Sequence, residues 1–180
     1  MALPVGPTKA IGFLTVVEHD LHGLFGGYLL LNETGRPLEF HCTAPVKPNR
    51  AQQILYGPTL KPFLYGEQIG ATLVNKPTLV PIAVLVDRPA ALAARTFIQV
   101  PMAIVLGGAT DPTLVSNATG EWLELPIGQN RLAISQQHSG DQERLAQSFA
   151  TIGEPFDFIE PFDRIREAID EAQRTGARAA

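Results

Sequence analysis

Two of the four histidines, His19 and His22, fall within the stretch VVEHDLHGLFGG, and a third, His41, precedes the only cysteine, Cys42, in LEFHCT. Imidazole and thiolate are common zinc ligands, and a thiol beside a base is the usual start of a nucleophile. His19, Asp20 and His22 are therefore the candidate metal ligands. They form only part of a set, because zinc needs three or four donors. His41 is not positioned as a base for Cys42, since neighbouring residues on a strand point to opposite faces. SQQHSGD brings Ser135, His138, Ser139 and Asp141 close in sequence, but serine triads are assembled from distant segments, and Ser139 reads better as a helix cap. GLFGGY and LGGATD lack the spacing of a dinucleotide or phosphate loop and read as turns. Glu18, Asp20 and Asp87, which close or follow apolar runs, are the candidate catalytic acids.

The elements that would carry these residues can be read from apolar periodicity. AIGFLTVVE (Ala10 to Glu18) is a buried strand. GGYLLLN and RPLEFHCT flank NETGR, where Gly35 can take the positive φ of a hairpin loop. In the third strand Leu38, Phe40 and Cys42 are expected to face the core, with His41 pointing away. A three-stranded meander threaded this way is expected to leave His19 and His22 near Arg36 to Leu38, with His41 and Cys42 toward the far end. Asn49 is the predicted N-cap of a helix that Gly57 and Pro58 stop or kink, and a helical pattern resumes through PTLKPFLYGEQIGATLVN. LVPIAVLVD (Leu79 to Asp87) is a further buried strand, followed by a short helix in RPAALAAR. FIQVPMAIVLGG is a strand that Pro101 interrupts. TLVSNATGEWLELP reads as a hairpin with Gly120 in the turn, and NRLAIS and FDFIE as short strands. Helices follow in SGDQERLAQSFATIG, capped by Ser139, and in PFDRIREAIDEAQRTG, where Pro161 opens the helix and Phe162, Ile165, Ile169 and Ala172 make the apolar stripe.

This order predicts an α/β fold with a mixed sheet: an N-terminal three-stranded antiparallel meander, then helix–strand units whose helices cover the sheet. One globular domain spanning residues 1–180 accounts for the length. Three antiparallel strands, a helix and a fourth strand resemble the opening of the ribonuclease H-like fold. That resemblance implies divalent ions held by carboxylates from the first strand, the helix and the fourth strand, for which Glu18, Glu67 and Asp87 are the nearest residues. The resemblance calls for an acid inside the first strand, and GFLTVV has none.

Composition narrows the function. The chain is 45% hydrophobic and 18% charged, enough to bury a core, and carries a net charge of −4 with a pI near 5.5. Such a balance gives no general pull toward nucleic acid or an anionic membrane. A single cysteine makes no internal disulfide. MALPVGPTKAIGF has no apolar leader core, and no apolar run of membrane-spanning length occurs, so a cytoplasmic protein is expected. In PVKPNRAQQILYGPTLKPFLYGEQ, bases alternate with aromatics. Lys47, Arg50, Tyr56, Lys61 and Tyr65 form the candidate partner surface. Three bases are few for nucleic acid, so a protein partner or a second copy of the chain is expected there. With no convergent catalytic set visible, the leading expectation is a non-catalytic interaction domain of a cytoplasmic assembly, without a cofactor. The alternative is a divalent-metal-dependent hydrolase, nuclease-like, using Glu18, Asp20 and Asp87.

Overall fold

Strand β1 (Ile11–His19) lies between an antiparallel neighbour, β2 (Gly23–Leu31), and a parallel one, β4 (Ala83–Val86). Around this centre a computed structural model, which describes residues 7–107 and 122–179, places β3 (Pro37–Cys42), β5 (Met102–Val105), β6 (Trp122–Ile127) and β7 (Asn130–Ser135). The seven strands run in the order β3-β2-β1-β4-β5-β7-β6. The β1–β4 and β4–β5 pairs are parallel, and the remaining pairs are antiparallel. The expected mixed sheet with an N-terminal meander is what the chain forms. AVLV of β4 and MAIV of β5 are buried at every position. Strands covered on both faces are apolar throughout, which is why these segments read as continuous runs.

Helices cover both faces. α1 (Arg50–Tyr56) begins at Asn49 with a reciprocal capping box. The Gln52 N–H donates to Asn49 Oδ1 at 2.8 Å, and the Asn49 N–H donates to Gln52 Oε1 at 3.0 Å. Beyond Gly57 the chain stays helical through α2 (Leu60–Pro62), a wide π-helical segment (Phe63–Ala71) and α3 (Thr72–Val74). A 3₁₀ segment (Pro89–Phe97) packs against it. Leu64, Tyr65, Ile69, Leu73, Ala91 and Ala94 close one core over this face of the sheet. The other face is closed by α4 (Gly140–Ala150) and α5 (Glu160–Ala179), through Leu145, Phe149, Phe162, Ile165 and Ile169. Each such fully buried side chain contributes about 1.5–3 kcal/mol of transfer free energy. Gly26 and Gly27 on β2 let helices approach from opposite faces. A side chain at Gly26 would meet Ile69, and one at Gly27 would meet Ile165.

Several expectations are corrected. Gly35 does take positive φ, 81°, in the β2–β3 turn. However, β3 is the edge strand, and Leu38, Phe40 and Cys42 are exposed while Glu39 and His41 are half-buried. At an edge the alternation survives, but the apolar row is left largely uncovered by the described residues. The meander also runs the other way from the expected threading. β3 points along β1, and Cys42 pairs with Gly27 while Pro37 pairs with Leu31. His41 and Cys42 therefore lie toward the His19–His22 end, and Arg36 to Leu38 lie at the far end. FDFIE forms no strand. Phe158 is anchored in the core, its N–H donating to Asn130 Oδ1 at 2.9 Å, and Ile159 leads into α5. The hairpin predicted around Gly120 lies mostly outside the described residues, and β6 instead turns into β7 at Gly128. Ser139 precedes α4 but makes no side-chain cap.

Candidate functional site

The parallel β1–β4 pair ends with Leu14 opposite Val86. The next residues are Thr15 and Asp87, so both stand at the carboxyl end of the pair, where the sheet opens. Thr15 lies opposite Gly27, the space over which is filled by Ile165 and Ile169 of α5. Thr15 therefore faces α5. Asp87 faces the same helix, where Arg166 binds its carboxylate. Arg166 also donates to Asp163, one turn earlier, at 2.9 Å. Asp87 is 5% exposed, so the charge is placed where an unpaired carboxylate would be costly. A cavity of about 70 Å³ opens here, lined by Asp87, Val105, Gly107, Phe162, Asp163 and Arg166 among others. Thr15 is fully buried, and its Oγ1 has no hydrogen-bond partner among the described residues.

A second group occupies the opposite face of the same end. Glu18 has the parity of Leu14 and Val16, and so points toward the π segment. Tyr65 of that segment donates its hydroxyl to Glu18 Oε1. Lys61 Nζ lies 3.4 Å from the same oxygen and 5.6 Å from the centre of the Tyr65 ring. The Tyr65 hydrogen bond, aided by Lys61 and Arg88, holds the Glu18 carboxyl below its ordinary value despite partial burial. Burial and the Glu18 partner push the Tyr65 phenol far up, so it remains a donor at every physiological pH. Arg88 Nε is buried without a partner among the described residues. This end of the sheet thus gathers Glu18, Asp87 and Asp163 with Lys61, Arg88 and Arg166.

The remaining candidates are placed as follows. His19 Nδ1 accepts from the Leu21 and His22 backbone N–H groups at 3.2 and 3.3 Å, and the His19 and His22 rings lie 4.6 Å apart, tilted by 31°. His19 thereby closes its own turn. Asp20 is exposed in that turn. His41 pairs with Glu39 at 2.8 Å, away from Cys42. No three of the His, Cys, Asp and Glu side chains gather as a metal-binding group among the described residues. Of the proposed partner surface, Tyr65 is buried against Glu18, and Tyr56 stacks on Phe63 at 4.2 Å. Lys47 donates to the Leu21 carbonyl at 2.9 Å, and Arg50 turns to Gln53. Glu67 is exposed on the far side of Phe63. Sequence reasoning passed over Thr15, Arg88, Asp163 and Arg166. The one available signal was the acid and base three apart on the polar side of the last helix, a common surface pattern.

The donor set does not fit the pair of divalent ions that a ribonuclease H-like centre implies. Glu18 and Asp87 lie on opposite faces of the sheet, Thr15 offers no charge, and the Asp87 carboxylate is held by a guanidinium.

The mixed seven-stranded sheet with helices on both faces is a ribonuclease H-like type of fold. Within it the similarity is to endonuclease V. A variant of the Ciona intestinalis enzyme, solved with a 23-mer DNA containing an inosine followed by a ribo-adenosine, superposes with a TM-score of 0.51 at 12% identity, covering 92% of this chain and 87% of that one. Human endonuclease V gives 0.51 at 13% identity, covering 92% and 86%. At this identity the likeness establishes the fold. No family model and no curated protein sequence matches the chain. The finding nevertheless overturns the leading functional expectation. Chains sharing this architecture nearly end to end are nucleases, one of them held on DNA, so neither a protein-interaction domain nor the exclusion of nucleic acid stands. Net charge summed over a whole chain does not decide what one local surface can bind. Among the described residues, no helix is long and apolar enough to cross a membrane.

Proposed function

We propose that this chain is a nuclease-like hydrolase directed at nucleic acid, engaging a phosphodiester backbone at the carboxyl ends of β1 and β4. One observation carries the reading. In a fold shared with endonuclease V, the end of the sheet where β1 and β4 stop gathers three cations around two groups of acids. Lys61 and Arg88 provide the charge that a phosphate backbone requires. Glu18, kept ionised by Tyr65 and Lys61, is an acceptor that orients a water or a ribose hydroxyl. Asp87 is the buried acid of the centre, and Asp20 lies exposed in the β1–β2 turn beyond the end of β1. No step is assigned to a metal ion.

Fluorescence anisotropy with labelled single-stranded and duplex DNA and RNA, across a salt series, tests the binding half. Affinity is expected to fall as salt rises, and the salt slope to shrink by about one in Arg88→Ala. Gel assays of the same oligonucleotides test cleavage, which Glu18→Gln is expected to abolish. Absence of binding to every oligonucleotide at low salt overturns the proposal.

A further inference from the structure

We infer that Arg166 is the resident cation of the seat formed by Asp87 and Asp163, and that this seat therefore takes no divalent ion. The inference rests on the nuclease-like reading for its biological meaning, but on geometry for its content. Two nitrogens of one guanidinium are directed at two carboxylates from different elements, the end of β4 and the first turn of α5. A bridging divalent ion makes the same kind of contact, joining oxygens contributed by separate segments. Asp87 is buried, so its charge needs a counter-charge that stays in place. Arg166, only a quarter exposed, supplies one anchored by the helix itself.

The neighbouring position agrees. Thr15 stands inside β1 beside Asp87, facing α5, where the ribonuclease H-like resemblance calls for an acid. A threonine in place of an acid removes one negative charge, and the guanidinium adds one positive charge. Together these change the balance of the centre by two units, the charge a divalent ion would bring. The substitution is electrostatically self-consistent. A guanidinium only donates, so it also leaves no lone pair for a metal and repels a cation that approaches.

Isothermal titration of Mn²⁺ into the purified full chain, without nucleic acid, tests this. Arg166→Met and Arg166→Gln are compared with the wild type, and each again with Asp87→Asn added. The wild type is expected to show no Asp87-dependent binding. Each folded variant is expected to bind Mn²⁺ at least about tenfold more tightly than the wild type, with the gain lost when Asp87→Asn is added. The melting temperature of each variant should also rise with added Mn²⁺. Mn²⁺ binding by the wild type that Asp87→Asn removes would overturn the inference, and so would folded variants that gain none. If neither variant folds, the wild-type and Asp87→Asn titrations decide alone: no Asp87-dependent binding sustains the inference. Because no oligonucleotide is present, these outcomes are independent of whether the chain binds nucleic acid.

Discussion

The two faces of the sheet end carry similar chemistry in different surroundings. Toward α5, Asp87 and Arg166 meet under cover, and the pair joins a strand to a helix. Toward the π segment, Glu18 and Lys61 are 61% and 67% exposed, and Tyr65 anchors Glu18 to the core. A buried pair is fixed because breaking it strands a charge, whereas an exposed pair is free to exchange its partner for a ligand. The first face is therefore suited to hold the architecture of the centre, and the second to meet a phosphate backbone.

Substitutions can break this contrast, and the largest effect is expected at Arg166. Arg166→Ala removes the guanidinium from the buried Asp87 carboxylate and should destabilise the fold by about 3 kcal/mol, read by urea unfolding. A loss no greater than that of Lys61→Ala would erase the distinction between the faces. Tyr65→Phe should cost about 1 kcal/mol, since it removes a hydrogen bond to a charged acceptor. It also changes the acid limb. Glu18 titrates below 4.5 in the folded chain, so its contribution to stability is present above the unfolded value and is lost as pH falls through the folded value. In Tyr65→Phe that acid-side loss should shrink, measured as unfolding free energy from pH 6 down to about pH 3.

Thr15→Val tests the buried hydroxyl. Its Oγ1 lacks a partner among the described residues, so an isosteric apolar side chain should leave stability unchanged or raise it by about 1 kcal/mol. A clear loss would show that the hydroxyl is needed. Lys61→Ala sharpens the comparison at its weak end. Stability should change by less than about 0.5 kcal/mol, while the salt dependence of oligonucleotide binding becomes shallower.

Much of this scaffold was legible in the sequence, for local reasons. Apolar runs marked β1, β4 and β5, and Asn49 marked the start of α1. The stripe Phe162, Ile165, Ile169 marked the last helix. Position within the sheet was not legible. The alternation of Leu38, Phe40 and Cys42 is the same whether a strand is covered or at an edge, and only the tertiary neighbours of β3 decide. FDFIE has the composition of a strand, yet Asn130 supplies a side-chain oxygen to the Phe158 N–H, and the segment becomes an anchored connection. The site was hidden for a related reason. Asp87 and Arg166 are 79 residues apart, and nothing in either neighbourhood signals the other. Glu18 was visible as an acid at a strand end, but the Tyr65 that orients it read as part of an apolar or partner-binding stripe.

The π segment has a consequence for how this chain tolerates changes in length. Nine residues, Phe63–Ala71, are wound with more residues per turn than the α turns before and after them. Because a π turn holds about one residue more than an α turn, removing one residue there would let the stretch close to ordinary α winding with the turns on either side near their present phase. Tyr65 and Ile69, one against Glu18 and the other over Gly26, would stay on one side of the helix, as residues three or four apart do. The stretch holds a spare residue, and a single-residue deletion within it should be absorbed better than one within the α turns of α5.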